Sequence, residues 1–198
     1  VTIFDLAAAD PASPAWNDIW QQSCHQGTCD PASAALLPWL AQTCASFTPR
    51  SREQAMCLAG FIAVDATDAD RAVHAGDIAT LRALATECLP TASSDEMFVH
   101  LQQAVLGLDG DEVWGKELDR VLDGEVDVEC PECGEETLVD LTDPAISPGL
   151  SSPVAVRVHA EAVGAGRDAV ATAVTRLFGR TRCPDCDADV PLVSPEPG

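Results

Sequence analysis

"VECPECGEETLVDL", residues 128–141, and "TRCPDCDADVPL", residues 181–192, repeat one short device far apart in the chain. Each holds a Cys-Pro-x-Cys pair: Cys130 and Cys133, then Cys183 and Cys186. Two such knuckles supply four thiolates, the tetrahedral donor set that Zn²⁺ or a single iron takes. Pro131 and Pro184 stiffen the turns. Gly134, directly after the first knuckle, permits a positive φ, and Asp187 at the matching place in the second tolerates the same region. The flanking segments "EVDVEC" and "ETLVDL" alternate polar and apolar residues as short strands do. We read the four cysteines as two halves of one structural zinc site. It joins chain segments that a small core could not hold.

The competing reading is dithiol chemistry, because Cys-Pro-x-Cys also occurs in thiol oxidoreductases. Neither pair sits in a βαβ context, and two matched pairs fit one four-ligand site better. Four thiolates also leave no open position for a catalytic metal. The arrangement resembles a zinc ribbon over residues 125–142 and 180–193. It departs from a compact ribbon in spacing: Cys133 and Cys183 are 50 positions apart, where about fifteen to twenty is usual. The intervening "VRVHAEAVGAGRDAVATAVTRLFG" reads as a helical insert, with a break at Gly164-Ala165-Gly166.

Upstream, residues 1–124 read as roughly six helices with short connections. Trp16, Ile19 and Trp20 share one face. Gly27 is placed to end that helix, and Asp30 to cap the next, with Pro31 at its first position. Capping boxes are predicted at Ser51/Gln54 and Ser93/Glu96. Leu58, Phe61 and Ile62 mark one apolar face, and Trp114, Leu118 and Val121 mark a last helix that stops at Gly124.

The segment "IWQQSCHQGTCDPASAALLPWL", residues 19–40, is similar to one in actinobacterial HEAT-repeat-like proteins. There a His-Gln-Gly-Thr turn joins two helices, matched here by His25, Gln26, Gly27 and Thr28, then Pro31, Ala32, Ser33, Pro38 and Leu40. Cys29 and Asp30 stand where those proteins often carry an aromatic. The resemblance covers about a tenth of the chain and implies a scaffold or interaction module built of antiparallel helical pairs.

The expected fold is therefore mainly α. It comprises a HEAT-like helical array over 1–124, a small β zinc-ribbon module with a helical insert over 125–193, and a disordered tail over 194–198. The net charge of −21 opposes nucleic acid and anionic membranes. No apolar run is long enough to span a bilayer. Residues 109–143 hold fourteen acids against Lys116 and Arg120, either a solvated face or a docking surface for a basic partner. Arg157, Arg167, Arg176, Arg180 and Arg182 follow, and internal pairing with that run is the expectation.

No export signal is evident at the N-terminus, so the nine cysteines are expected to be reduced thiols and metal ligands in a cytoplasm. Cys44, Cys57 and Cys88 fall on apolar helix faces. Cys24, His25 and Cys29 admit two readings: a second metal or nucleophilic site, or packed cysteines beside a turn-bonding histidine. No catalytic motif emerges. The predicted function is a non-enzymatic protein-binding adaptor or regulator with a Zn²⁺ site. The alternatives are a zinc-ribbon protein acting on nucleic acid or its machinery, or a thiol redox protein.

Overall fold

The structure, a computed structural model, describes residues 1–193. The predicted tail lies outside them. The chain is mainly helical with small two-stranded antiparallel sheets. It forms two units, Val1–Leu118 and a second beginning at Asp119.

In the first unit, helix α1 (Ile3–Ala9) starts at a capping box between Thr2 and Asp5. Two hydrogen bonds hold the Asp5 carboxyl below its ordinary range, from the Thr2 backbone N–H first and its hydroxyl second. Helix α2 (Ala15–Ser23) buries Trp16 and Ile19. A two-residue hairpin, β1 (Cys24–His25) and β2 (Thr28–Cys29), follows it. Gly27 therefore does not end a helix. It sits at φ +80 in the hairpin turn, beside Gln26 at φ +50. Two successive positive φ values are what a type I′ turn requires.

Asp30 caps as expected, accepting from the Ala32 N–H at 2.8 Å, but it opens a 3-10 turn, Pro31–Leu36. Pro38 then lies in the first turn of α3 (Leu37–Cys44). Trp39 from α3 closes an aromatic cluster, 5.1 Å from Phe4 and 5.4 Å from Trp16 between ring centres.

Both central capping expectations shift by one residue. The Ser51 hydroxyl is taken by Thr48 Oγ1 at 2.6 Å, so Ser51 belongs to the preceding turn and α4 (Glu53–Asp65) starts after Arg52. The Ser93 N–H donates to the Glu53 carboxylate at 2.9 Å. After α5 (Asp68–Val73) and α6 (Ala75–Cys88), Ser94 rather than Ser93 caps α7 (Asp95–Asp109), accepting from the Met97 N–H at 3.0 Å.

Helix α4 is the hub of this unit. The sequence marked one face, but Ala55 to Gly60 and Ile62 to Val64 are all buried, as befits a helix surrounded by others. Its closest neighbour, α7, approaches through glycines. A β-carbon on Gly60 would lie 2.4 Å from Ala104 Cα, and one on Gly107 would lie 2.7 Å from the Gly60 carbonyl oxygen. Arg71 donates to the carbonyls of Gly107 and Leu108 at 3.2 and 2.8 Å, and to that of Ala63. One guanidinium thus serves the C-terminal carbonyls of both helices.

The predicted last helix through Trp114, Leu118 and Val121 is split. Helix α8 (Trp114–Glu117) ends the first unit, and α9 (Arg120–Asp123) begins the second, stopping at Gly124 with φ +76. Strands β3 (Glu125–Glu129) and β4 (Glu136–Asp140) form the first hairpin of the second unit, with Val126 opposite Val139. The insert is a helical pair, α10 (Pro153–Gly164) and α11 (Asp168–Leu177), broken at the glycine segment, where Gly166 has φ +68. Val170, Ala171, Val174 and Leu177 form the buried face of α11, which packs on α9. Strands β5 (Arg180–Arg182) and β6 (Asp189–Pro191) form the second hairpin. Arg176 donates to the Leu141 and Asp143 carbonyls, both at 3.0 Å, and ties the insert to the loop leaving β4. Arg180 pairs with Asp189 and Arg157 with Glu161. Both carboxylates are local and lie outside the 109–143 run.

Candidate metal centre

The two hairpins carry matching knuckles. In the first, the Cys130 N–H donates to the Glu135 carbonyl and the Gly134 N–H to the Cys130 carbonyl, both at 2.8 Å. In the second, the Cys183 N–H donates to the Ala188 carbonyl at 2.9 Å and the Asp187 N–H to the Cys183 carbonyl at 3.0 Å. The residue after each second cysteine has the positive φ that closes such a turn: Gly134 at +76 and Asp187 at +58. Asp187 does so with a β-carbon, which its short polar side chain makes tolerable.

These turns bring Cys130, Cys133, Cys183 and Cys186 together, with all four Sγ atoms within 4.8 Å of one another. Cys130 Sγ lies 3.6 Å from Cys186 Sγ, and Cys133 Sγ lies 3.6 Å from Cys183 Sγ. Each hairpin therefore faces its sulfurs toward the other. A zinc–sulfur bond of about 2.3 Å places tetrahedral sulfurs roughly 3.8 Å apart, so the donor set fits a tetrahedral metal. Cys130 and Cys183 are buried; Cys133 and Cys186 are exposed.

Backbone donors prepare the sulfurs for charge. Burial opposes the Cys130 thiolate, but the N–H groups of Cys133 and Glu132, then the thiols of Cys133 and Cys186, outweigh it and lower its pKa to about 7. At Cys133 the Glu135 N–H favours the thiolate. Partial desolvation among the clustered sulfurs and the thiols of Cys186, Cys130 and Cys183 prevail there and push the pKa up to about 12. Cys186 has help from the Ala188 N–H and the Cys133 thiol, yet partial desolvation and the Cys130 and Cys183 thiols raise it as well. Four thiols this close cannot all ionise without a cation among them, and a divalent ion held there would supply that charge.

The other cysteines divide differently. Cys44, Cys57 and Cys88 are buried in the first unit. Burial pushes Cys44 and Cys57 up to about 12, and Cys88 is raised by the same cause. Cys24 and Cys29 correct the expectation of reduced thiols: they are joined by a disulfide. The β1–β2 register puts them directly opposite. Bonded to each other, they are not a thiolate pair for a second metal with His25, whose side chain is exposed. The signal that could have found this pairing was the two-residue Gln26-Gly27 loop between Cys-His and Thr-Cys.

A second surface was only half legible. On the outer face of β3–β4, Glu125 stands opposite Asp140, Asp127 opposite Leu138, and Glu129 opposite Glu136. All six are exposed or half-exposed, and Leu138 is 57 % exposed. Two like-charged pairs directly across a hairpin weaken it.

No family model, curated protein or solved structure matches the chain. Among the described residues, no helix is long and apolar enough to cross a membrane.

Proposed function

We propose that the chain is a non-enzymatic adaptor whose zinc-clamped ribbon presents an acidic face to a basic segment of a protein partner in the cytoplasm. The observation that carries this reading is the outer face of β3–β4, with five carboxylates around exposed Leu138. Opposed like charges cost stability, and a cationic partner relieves that cost while Leu138 supplies an apolar anchor. Cys130, Cys133, Cys183 and Cys186 would hold the metal. Zinc there would supply rigidity and no reaction centre, because four thiolates complete its coordination. In this reading the helices of the first unit form a HEAT-like array that serves as the scaffold.

Capture from source-cell lysate tests it, with wild-type chain and an Asp127→Lys/Leu138→Ser variant as paired baits. The reading expects basic proteins that the wild type retains, that the variant loses, and that moderate salt releases. Identical captures by both baits would contradict it.

The same field sets the expectation for nucleic acid. With a net charge of −21, the chain should show no measurable non-specific binding to duplex DNA at physiological salt. Fluorescence anisotropy checks this. A dissociation constant of about 1–10 μM, with steep salt dependence, would place the chain among phosphate binders instead.

A further inference from the structure

The geometry points to a thiol–disulfide exchange site at Cys24–Cys29, with Cys24 as the sulfur that an incoming dithiol attacks. It is separate from the four-cysteine cluster and goes beyond the adaptor reading. The disulfide closes the short β1–β2 hairpin, whose tip, His25 to Thr28, is exposed. The two sulfurs are unequal. Cys29 is buried at 6 % exposure, whereas Cys24 is half-buried and lines a cleft of about 520 Å³. Trp20, Phe61, His25 and Gly27 also line that cleft, and the Trp20 and Phe61 rings meet edge to face at 5.7 Å. The opening thus offers one reachable sulfur beside an aromatic wall.

The hairpin is anchored independently of the sulfur–sulfur bond. The Asp30 N–H donates to the Ser23 carbonyl at 2.9 Å, and the Cys29 N–H donates to Asp65 at 2.7 Å. Lys116 pairs with the same Asp65. These bonds keep the two cysteines facing each other after reduction. A disulfide spanning five positions also constrains the unfolded chain less than a long-range one, so stapling alone accounts poorly for it. The unit's other three thiols are buried and held protonated, which leaves them out of exchange.

The chemistry balances with a dithiol as the reductant. One of its thiols, as thiolate, attacks Cys24 Sγ. A new sulfur–sulfur bond forms there, the Cys24–Cys29 bond breaks, and Cys29 leaves as a thiolate that takes up the proton the incoming thiol lost. The second thiol of the dithiol then attacks the mixed disulfide and releases Cys24. The chain gains two electrons and two protons, and the dithiol becomes a disulfide. In a reducing compartment such a pair is a working couple rather than a permanent bond.

Two measurements test this on the full, metal-loaded chain. In the first, the wild type is treated with dithiothreitol, and in parallel with reduced thioredoxin as a protein dithiol, then alkylated and mapped by peptide mass. Cys24–Cys29 should open while far-UV circular dichroism and metal content stay constant. Faster opening by the protein dithiol identifies a protein source, and equal rates a small-molecule one. In the second, Cys29→Ser and Cys24→Ser chains are offered oxidised glutathione. Cys24 in the first variant should form the mixed disulfide at least about tenfold faster than Cys29 in the second, because access governs attack. The proposal is overturned if the disulfide opens only when the fold is lost, or if the two sulfurs react equally. Should the variants fail to fold, the wild-type measurement decides alone.

Discussion

Replacing Cys183 with serine is expected to unfold the second unit and leave the first one folded. The strands of the second unit are three to five residues long, and each of its sheets has only two strands. Isolated two-stranded hairpins are marginal in water. A structural zinc site contributes on the order of 10 kcal/mol to the module it closes, more than the whole stability of a unit this small. The first unit has its own caps and core, with Phe98, Met56, Leu58 and Leu101 fully buried. All four tryptophans, Trp16, Trp20, Trp39 and Trp114, lie in that unit. Their emission should therefore be unchanged in Cys183→Ser, while amide protection over 125–140 and 153–177 disappears. Chelation of the wild type should reproduce both results. Red-shifted tryptophan emission in either case would show that one cooperative domain, not two modules, depends on the metal.

The second large effect is expected at Gly60. Alanine there puts a β-carbon 2.4 Å from Ala104 Cα, 2.7 Å from Ala104 Cβ and 2.9 Å from the Ala104 carbonyl oxygen. Backbone atoms cannot yield as a flexible side chain can, so α4 and α7 must separate. Overpacking commonly costs about 1–3 kcal/mol and sometimes more; this contact belongs at the upper end, because two central helices move. Gly76→Ala is the control. Its β-carbon meets nothing within 4 Å, and the position is helical, so a neutral or slightly stabilising change follows. Urea unfolding followed by tryptophan emission gives both midpoints. Equal midpoints for the two variants would refute the close α4–α7 crossing.

The parts of this fold that were legible in the sequence are those fixed by local chemistry. Cys-Pro-x-Cys with an αL-tolerant residue after it specifies a knuckle, and alternation on either side specifies a strand, so β3, β4 and the four-sulfur cluster followed from short windows. The Gly164–Gly166 break in the insert was visible for the same reason. Cap positions were harder, because neighbouring hydroxyls compete. Ser51 lost to Thr48, and Ser93 had its N–H drawn to Glu53, a residue 40 positions away. The burial of α4 on nearly every side depends on which helices surround it, and no window of α4 itself contains that. Helix α1 was missed although the Thr2–Asp5 capping signal is plain in "TIFD". The Cys24–Cys29 bond was missed because the whole cysteine set was assigned one redox state. The structure instead distributes it among buried thiols, a four-sulfur cluster and one cross-strand disulfide.

The fold of the second unit is expected to rest on one metal held by both knuckles. X-ray absorption at the zinc edge tests it most directly, on chain purified under reducing, non-chelating conditions with total metal measured alongside. The account predicts about one zinc per chain, bound by four sulfurs at about 2.3 Å, with no nitrogen or oxygen in the first shell. A metal-free chain, or zinc bound through nitrogen or oxygen, would contradict it.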